Sequence, residues 1–161
     1  MTESTARDGG RTATGRSGGL RLRRAGMADA PLLAELAGPD AVPGEDGRSV
    51  LDDCLEFGGA LWFEAAGQPV SLLSWREVRG GWELRPVRVA DGHDGFSHSR
   101  WLMTQVEALA IRMNVPRLVL TLSEPADLEL YRRMGYEPED RSARRLVRRV
   151  GGTWQLRRGN A

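Results

Sequence analysis

The apolar residues change their spacing twice between Ala60 and Leu122, and that double change admits only a small set of folds. Residues 60–65, 70–75 and 82–89 have the alternation and composition of strands. Ala66-Gly67-Gln68-Pro69 separates the first two as a turn. Gly80-Gly81 sets 76–79 against 82–89 as a two-residue hairpin, so the whole stretch predicts an antiparallel meander. At 100–113 the spacing turns helical, with Leu102, Met103, Val106, Leu109, Ala110 and Met113 in one stripe. Asn114-Val115-Pro116 ends it, and 117–122 returns to an apolar run of the buried-strand kind. A strand reached from a strand through a helix makes part of the sheet parallel, so the sheet is mixed.

The flanks extend this plan. Residues 20–25 alternate as a strand, and 27–37 carry Leu32, Leu33 and Leu36 at helical spacing before Gly38-Pro39. Residues 40–47 read as a loop, and 49–57 as a helix with Val50, Leu51, Cys54 and Leu55 on one face. Downstream, 125–134 reads as a short helix capped by Ser123 and stopped by Gly135, and 141–150 with 153–158 as a hairpin across Gly151-Gly152. The expected architecture is one α/β domain over 20–161, a mixed and mostly antiparallel central sheet flanked by helices. Residues 1–19 are expected to form a disordered tail, being too poor in apolar side chains to repay ordering.

Charge and cysteine usage narrow the function classes. Twenty-three basic residues, every one an arginine, face 22 acidic ones for a net charge of +1, which gives nucleic acid no electrostatic footing. The exclusive use of arginine suits a GC-rich bacterial source. Cys54 is the lone cysteine, so no disulfide forms within the chain and a cytoplasmic location is expected. On its helix it reads as a small buried apolar residue. No run approaches the ~20 apolar residues of a membrane span, and 1–19 lacks the apolar stretch of a secretory signal.

Three segments carry chemistry. In Glu83-Leu84-Arg85-Pro86-Val87-Arg88-Val89 the apolar residues change parity between Leu84 and Val87, so one residue is extra. A β-bulge does this, and Pro86, which cannot donate to a ladder, suits either a bulge or a sheet edge. Asp94-Gly95-Phe96-Ser97-His98-Ser99 leads directly into the helical stripe. Leu130-Tyr131-Arg132-Arg133-Met134-Gly135-Tyr136 sets a tyrosine on a short helix, where an amphipathic core tyrosine is the plain alternative to a functional one.

In this order the three segments resemble the GNAT superfamily of acyltransferases. The resemblance implies acetyl-CoA as co-substrate and a primary amine of a small molecule or peptide as acceptor. The pantetheine arm would enter a wedge opened by the bulge and bond the backbone of Val87 and Val89. The pyrophosphate would sit over Gly95, Phe96, Ser97, His98 and Ser99, beside Arg100, where small residues and a helix N-terminus let backbone N–H groups converge. Tyr131 would be the general acid for the departing thiolate. Glu83 is a candidate general base, acting directly or through water, although a strand-end glutamate is also a common surface residue. The chain departs from the family pattern at Asp94, where Arg or Gln is usual, at Ser97 and Ser99, and at Glu124 and Asp127, which replace Asn and Ala.

Other readings stay open at this level. The departures suit a non-catalytic module of the same fold that acts through a protein partner. Asp91, His93, Asp94 and His98 offer metal-type donors at a spacing that matches no strong metal motif. Arg144, Arg145, Arg148, Arg149, Arg157 and Arg158 cluster in the last hairpin, as a solvated face, a weak nucleic-acid surface or, with Trp154, a homodimer contact. Asp40, Glu45, Asp46, Asp52 and Asp53 make the segment between the first helices acidic, either as a rim for a cationic amine or as a solvated loop.

Overall fold

The structure is a computed structural model that describes residues 19–122, 127–141 and 144–150. Strand β1 (Arg21–Arg24) leads into α1 (Ala30–Ala37), a 3-10 turn over Gly38–Ala41, and α2 (Val50–Phe57). The meander follows as β2 (Gly58–Ala65), β3 (Gln68–Val78), β4 (Gly81–Leu84) and β5 (Arg88–Val89). Then come α3 (Gly95–Arg112), β6 (Arg117–Thr121), α4 (Leu128–Arg133), β7 (Glu137–Pro138) and β8 (Arg145–Arg149). The strands form one sheet in the order β1-β2-β3-β4-β6-β8-β7, with β5 paired to β3. Among the described residues only β4 and β6 run parallel, so the sheet is mixed and mostly antiparallel, and the crossover through α3 is the cause.

Sequence and structure part company at several boundaries. The middle strand of the meander runs over Gln68–Val78, and the expected strand 82–89 is broken into β4 and β5. Gly58 and Gly59 belong to β2 and do not merely stop α2. A Cβ on Gly58 would lie 2.0 Å from the Trp75 carbonyl oxygen, so this strand pairs closely only with glycine there. Residues 95–99 are the first turn of α3 and not a loop, because Asp94 caps them. The two-residue strand β7 was not foreseen. All but the last residue of the expected tail (1–19), the Ser123 cap and the 153–158 strand lie outside the described residues.

The sheet separates two cores. Under α1 and α2 lie Leu33, Ala37, Leu51, Ala60, Trp62 and Leu72. On the other face Leu73, Trp75, Trp82, Leu84, Leu118 and Leu120 pack against Leu102, Met103 and Val106 of α3 and Tyr131 of α4. Trp75 and Trp82 stack at 4.9 Å. Cys54 is buried in α2, as its place on the apolar face implied, and burial raises its thiol pKa. No helix among the described residues is long and apolar enough to cross a membrane.

Candidate active site

The break between β4 and β5 organises the site. Trp75 stands opposite Leu84 and Leu72 opposite Arg88, so three steps along β3 match four along its partner. The extra residue falls within Arg85-Pro86-Val87, which is the bulge that the parity change implied. Arg85 still donates its N–H to Ser74 (2.8 Å), and pairing resumes with Ala90 N–H on Val70 (2.8 Å). Alternation along the ladder then turns the N–H groups of Val87 and Val89 away from β3. On that side β4 pairs with β6 only as far as Leu84 and Leu120, and β5 has no described strand beside it. The two parallel strands part there, leaving Val87 and Val89 with backbone groups facing the gap.

Tyr131 reaches the same gap from α4. It is 3% exposed, and burial pushes its hydroxyl pKa up to about 12, opposed by a hydrogen bond from the Val87 N–H and by the nearby charge of Arg88. Its motif glycine is required: Gly135 has φ +91°, and a Cβ there would meet the Arg148 guanidinium at 3.2 Å. Glu83 lies on the opposite face, half-buried on β4, paired across the strands with Arg76 at 3.4 Å.

Asp94 decides the state of the α3 N-terminus. Its carboxylate accepts from Phe96 N–H (3.1 Å) and from the Ser97 hydroxyl (2.6 Å), and Ser97 N–H faces it as well. Those bonds, the hydroxyl first, hold its carboxyl pKa below the usual range. The donors that would cradle a phosphate are therefore bonded to the chain's own carboxylate. His98 turns inward: its Nδ1 lies 2.7 Å from the Ser71 hydroxyl, the ring is buried, and burial lowers its pKa. Its N–H bonds Asp94 O (3.1 Å) within the helix, and Ser99 is buried too, so of the predicted loop residues Gly95, Phe96, Ser97 and Arg100 stay near solvent. Arg100 lines a groove of about 560 Å³ between α3 and α4, with Met103, Thr104, Glu107, Leu130 and Arg133. Among the described residues no three His, Cys, Asp or Glu side chains are grouped to hold a metal ion.

The acidic segment before and along α2 is spent on the fold. Arg85 grips Asp40 with two hydrogen bonds (3.1 and 2.9 Å), Asp52 joins Ser49 in a capping box, and Asp46 accepts the Arg48 N–H (3.0 Å). Arg48 also bonds Asp53 (2.8 Å) and Glu56. Asp40, Asp46, Asp52 and Asp53 thus have partners within the fold, which supports the structural reading of this segment beside that of a rim for a cationic amine. Sequence reasoning missed the Arg85–Asp40 clamp, whose partners are 45 residues apart with no local signal. It also missed the capping role of Asp94, although an aspartate just ahead of a helical stripe is such a signal.

The same fold occurs in solved acetyltransferases. The crystal structure of the PaiA N-acetyltransferase from Thermoplasma acidophilum in complex with coenzyme A matches with a TM-score of 0.62 at 12% identity, covering 82% of this chain and 98% of that one. A GNAT family acetyltransferase from Brucella melitensis in complex with acetyl-CoA matches at 0.62 with 16% identity over 83% and 90% of the two chains. One from Listeria monocytogenes matches at 0.64 with 18% identity over 81% and 95%. This is the GNAT fold. No protein-family model and no curated protein matches the sequence. At such identities the likeness concerns the GNAT fold and leaves the chemistry to the residues above.

Proposed function

We propose that the chain is an acyl-CoA-dependent N-acetyltransferase that moves an acetyl group from acetyl-CoA to a primary amine of a small molecule or peptide. The observation that carries this reading is the Tyr131 hydroxyl beside the Val87 N–H at the gap between diverging parallel strands. Acetyl-CoA would supply a thioester, an acyl group already activated towards an amine. Val87 and Val89 would bind its pantetheine arm through backbone groups, and the Val89 N–H would stabilise charge developing on the carbonyl oxygen. Tyr131, fully protonated at neutral pH, would hold the proton for the departing sulfur. Glu83 would take the proton of the amine through water, after releasing Arg76. Gly95, Phe96, Ser97 and Arg100 would meet the pyrophosphate once the Asp94 carboxylate swings aside, while His98 and Ser99 support that turn from below.

Calorimetric titration with acetyl-CoA and free coenzyme A tests the reading, followed by an acceptor screen that reads thiol release. A ligand held at ~100 times its dissociation constant adds about 2.7 kcal/mol of stability. Micromolar binding with thiol release is the expected result. One observation favours a second reading: the occupied α3 N-terminus suits a non-catalytic module acting through a protein partner. Absence of binding at millimolar ligand would select it.

A further inference from the structure

Arg88 is the charged residue of the parted strand that the fold leaves without a task. It stands opposite Leu72, which belongs to the core under α1 and α2, so its side chain emerges on that face of the sheet. Tyr131 approaches from the other face, and Arg88 lies between Val87 and Val89 on the strand that borders the gap. The residue is half-buried, its Nε is buried without a hydrogen-bond partner, and no carboxylate among the described residues pairs with it. The other arginines around α2 and β4 are committed: Arg85 to Asp40, Arg76 to Glu83, Arg48 to Asp53 and Glu56. A half-buried cation without a counter-charge is costly, and an incoming anion removes that cost.

We propose that Arg88 receives a carboxylate of the acyl acceptor, so that the preferred acceptors are amines bearing an acid group, of the amino-acid class. The proposal rests on the acetyl-transfer reading of the same site. A guanidinium suits the role because its planar fork matches a carboxylate with two parallel hydrogen bonds. Beside β5, a cavity of about 360 Å³ begins at Val89, the residue after Arg88, and is walled by Leu32, Leu36 and Pro69; Arg88 itself does not line it. Glu35 and Asp91 at its rim form no ion pair with Arg88, and they keep the acid group of the acceptor at the guanidinium and out of the cavity.

The test uses N-acetyl amino acids, which carry the carboxylate of the product, each paired with its carboxamide. Binding to the wild type, Arg88→Gln and Arg88→Lys is measured by calorimetry, and folding is checked by melting temperature. The carboxylates should bind roughly ten- to a hundredfold more tightly than the amides. Arg88→Gln should abolish that preference without lowering the melting temperature, because it breaks no bond. Arg88→Lys, which keeps the charge and loses the fork, should retain part of it. Equal binding of acid and amide, no binding of any acid, or a preference that survives Arg88→Gln would overturn the proposal. So would an Arg88→Gln defect confined to acetyl-CoA binding. A wild type that fails to bind acetyl-CoA yet shows the carboxylate preference, lost in Arg88→Gln, would instead remove the transfer reading and leave Arg88 as an acid-binding residue.

Discussion

Substituting Tyr131 by phenylalanine removes one oxygen and separates two roles for that residue. As a core tyrosine, it loses its bond from the Val87 N–H, which costs about 1 kcal/mol at neutral pH. As the general acid, it should also lose roughly 10²- to 10⁴-fold in kcat with little change in fold. A second, independent readout comes from alkaline stability. Burial raises the hydroxyl pKa to about 12, against ~10 in an unfolded chain. The fold favours the protonated form, so its contribution is complete below the unfolded value and is lost as pH rises through the folded one. That gap corresponds to roughly 2–3 kcal/mol lost by the wild type and not by Tyr131→Phe. The wild type, more stable at neutral pH, should therefore become the less stable protein above pH ~11. Urea unfolding of both proteins from neutral pH to pH ~12 measures this, and thiol release measures kcat. Parallel stability curves would refute the burial argument, and an unchanged kcat would remove Tyr131 from the chemistry.

Three further perturbations have defined outcomes. Asp40→Asn leaves the half-buried Arg85 unpaired and should cost about 2 kcal/mol in urea unfolding, with Asp40→Asn and Arg85→Met together costing less than their sum. Asp94→Gly should lower the melting temperature slightly and tighten acetyl-CoA binding several-fold by calorimetry. Because Ser97 and Phe96 hold the Asp94 carboxyl below its usual range, the melting difference should be complete above the ordinary aspartate pKa and vanish as pH falls through the depressed one. Ala66 sits at φ +52° before Gly67 at +80°, so Ala66→Asn should stabilise the β2–β3 turn by ~0.5–1 kcal/mol in thermal or urea unfolding.

What was legible in the sequence was whatever a single strand or helix records by itself. The bulge showed because Leu84 and Val87 must both face the α3 side, and only an extra residue allows that. The parallel pair of β4 and β6 showed because a helical stripe separates two apolar runs. The proposed acetyl-transfer site is a matter of positions: the backbone of Val87 and Val89 borders the gap that Tyr131 reaches, while Glu83 lies on the opposite face. Contacts between distant segments left no periodic trace, so the Arg85–Asp40 clamp and the bond from His98 to Ser71 emerged only from the fold. The first turn of α3 was misread for another reason. Its polar residues look like a loop, and their helical state depends on Asp94 satisfying N–H groups that the helix itself leaves unpaired.

Taken together, the electrostatics point towards anionic ligands on both faces of the gap. Of the carboxylates before and along α2, Asp40 and Asp53 are paired with Arg85 and Arg48, and Asp52 caps a helix N-terminus. Arginines are placed the other way. Among the described residues Arg88 lacks a counter-charge, and Arg100 and Arg133, the latter paired with Glu129, line the groove between α3 and α4 beside Glu107. Against them stands Asp94, a carboxylate that already fills one anion position and must yield it. An anion-binding surface that carries its own occupant binds weakly until a ligand offers more than one negative group at once, because only then does displacing the occupant gain more contacts than it loses. A polyphosphate meets that condition at the α3 N-terminus, and a single carboxylate does not.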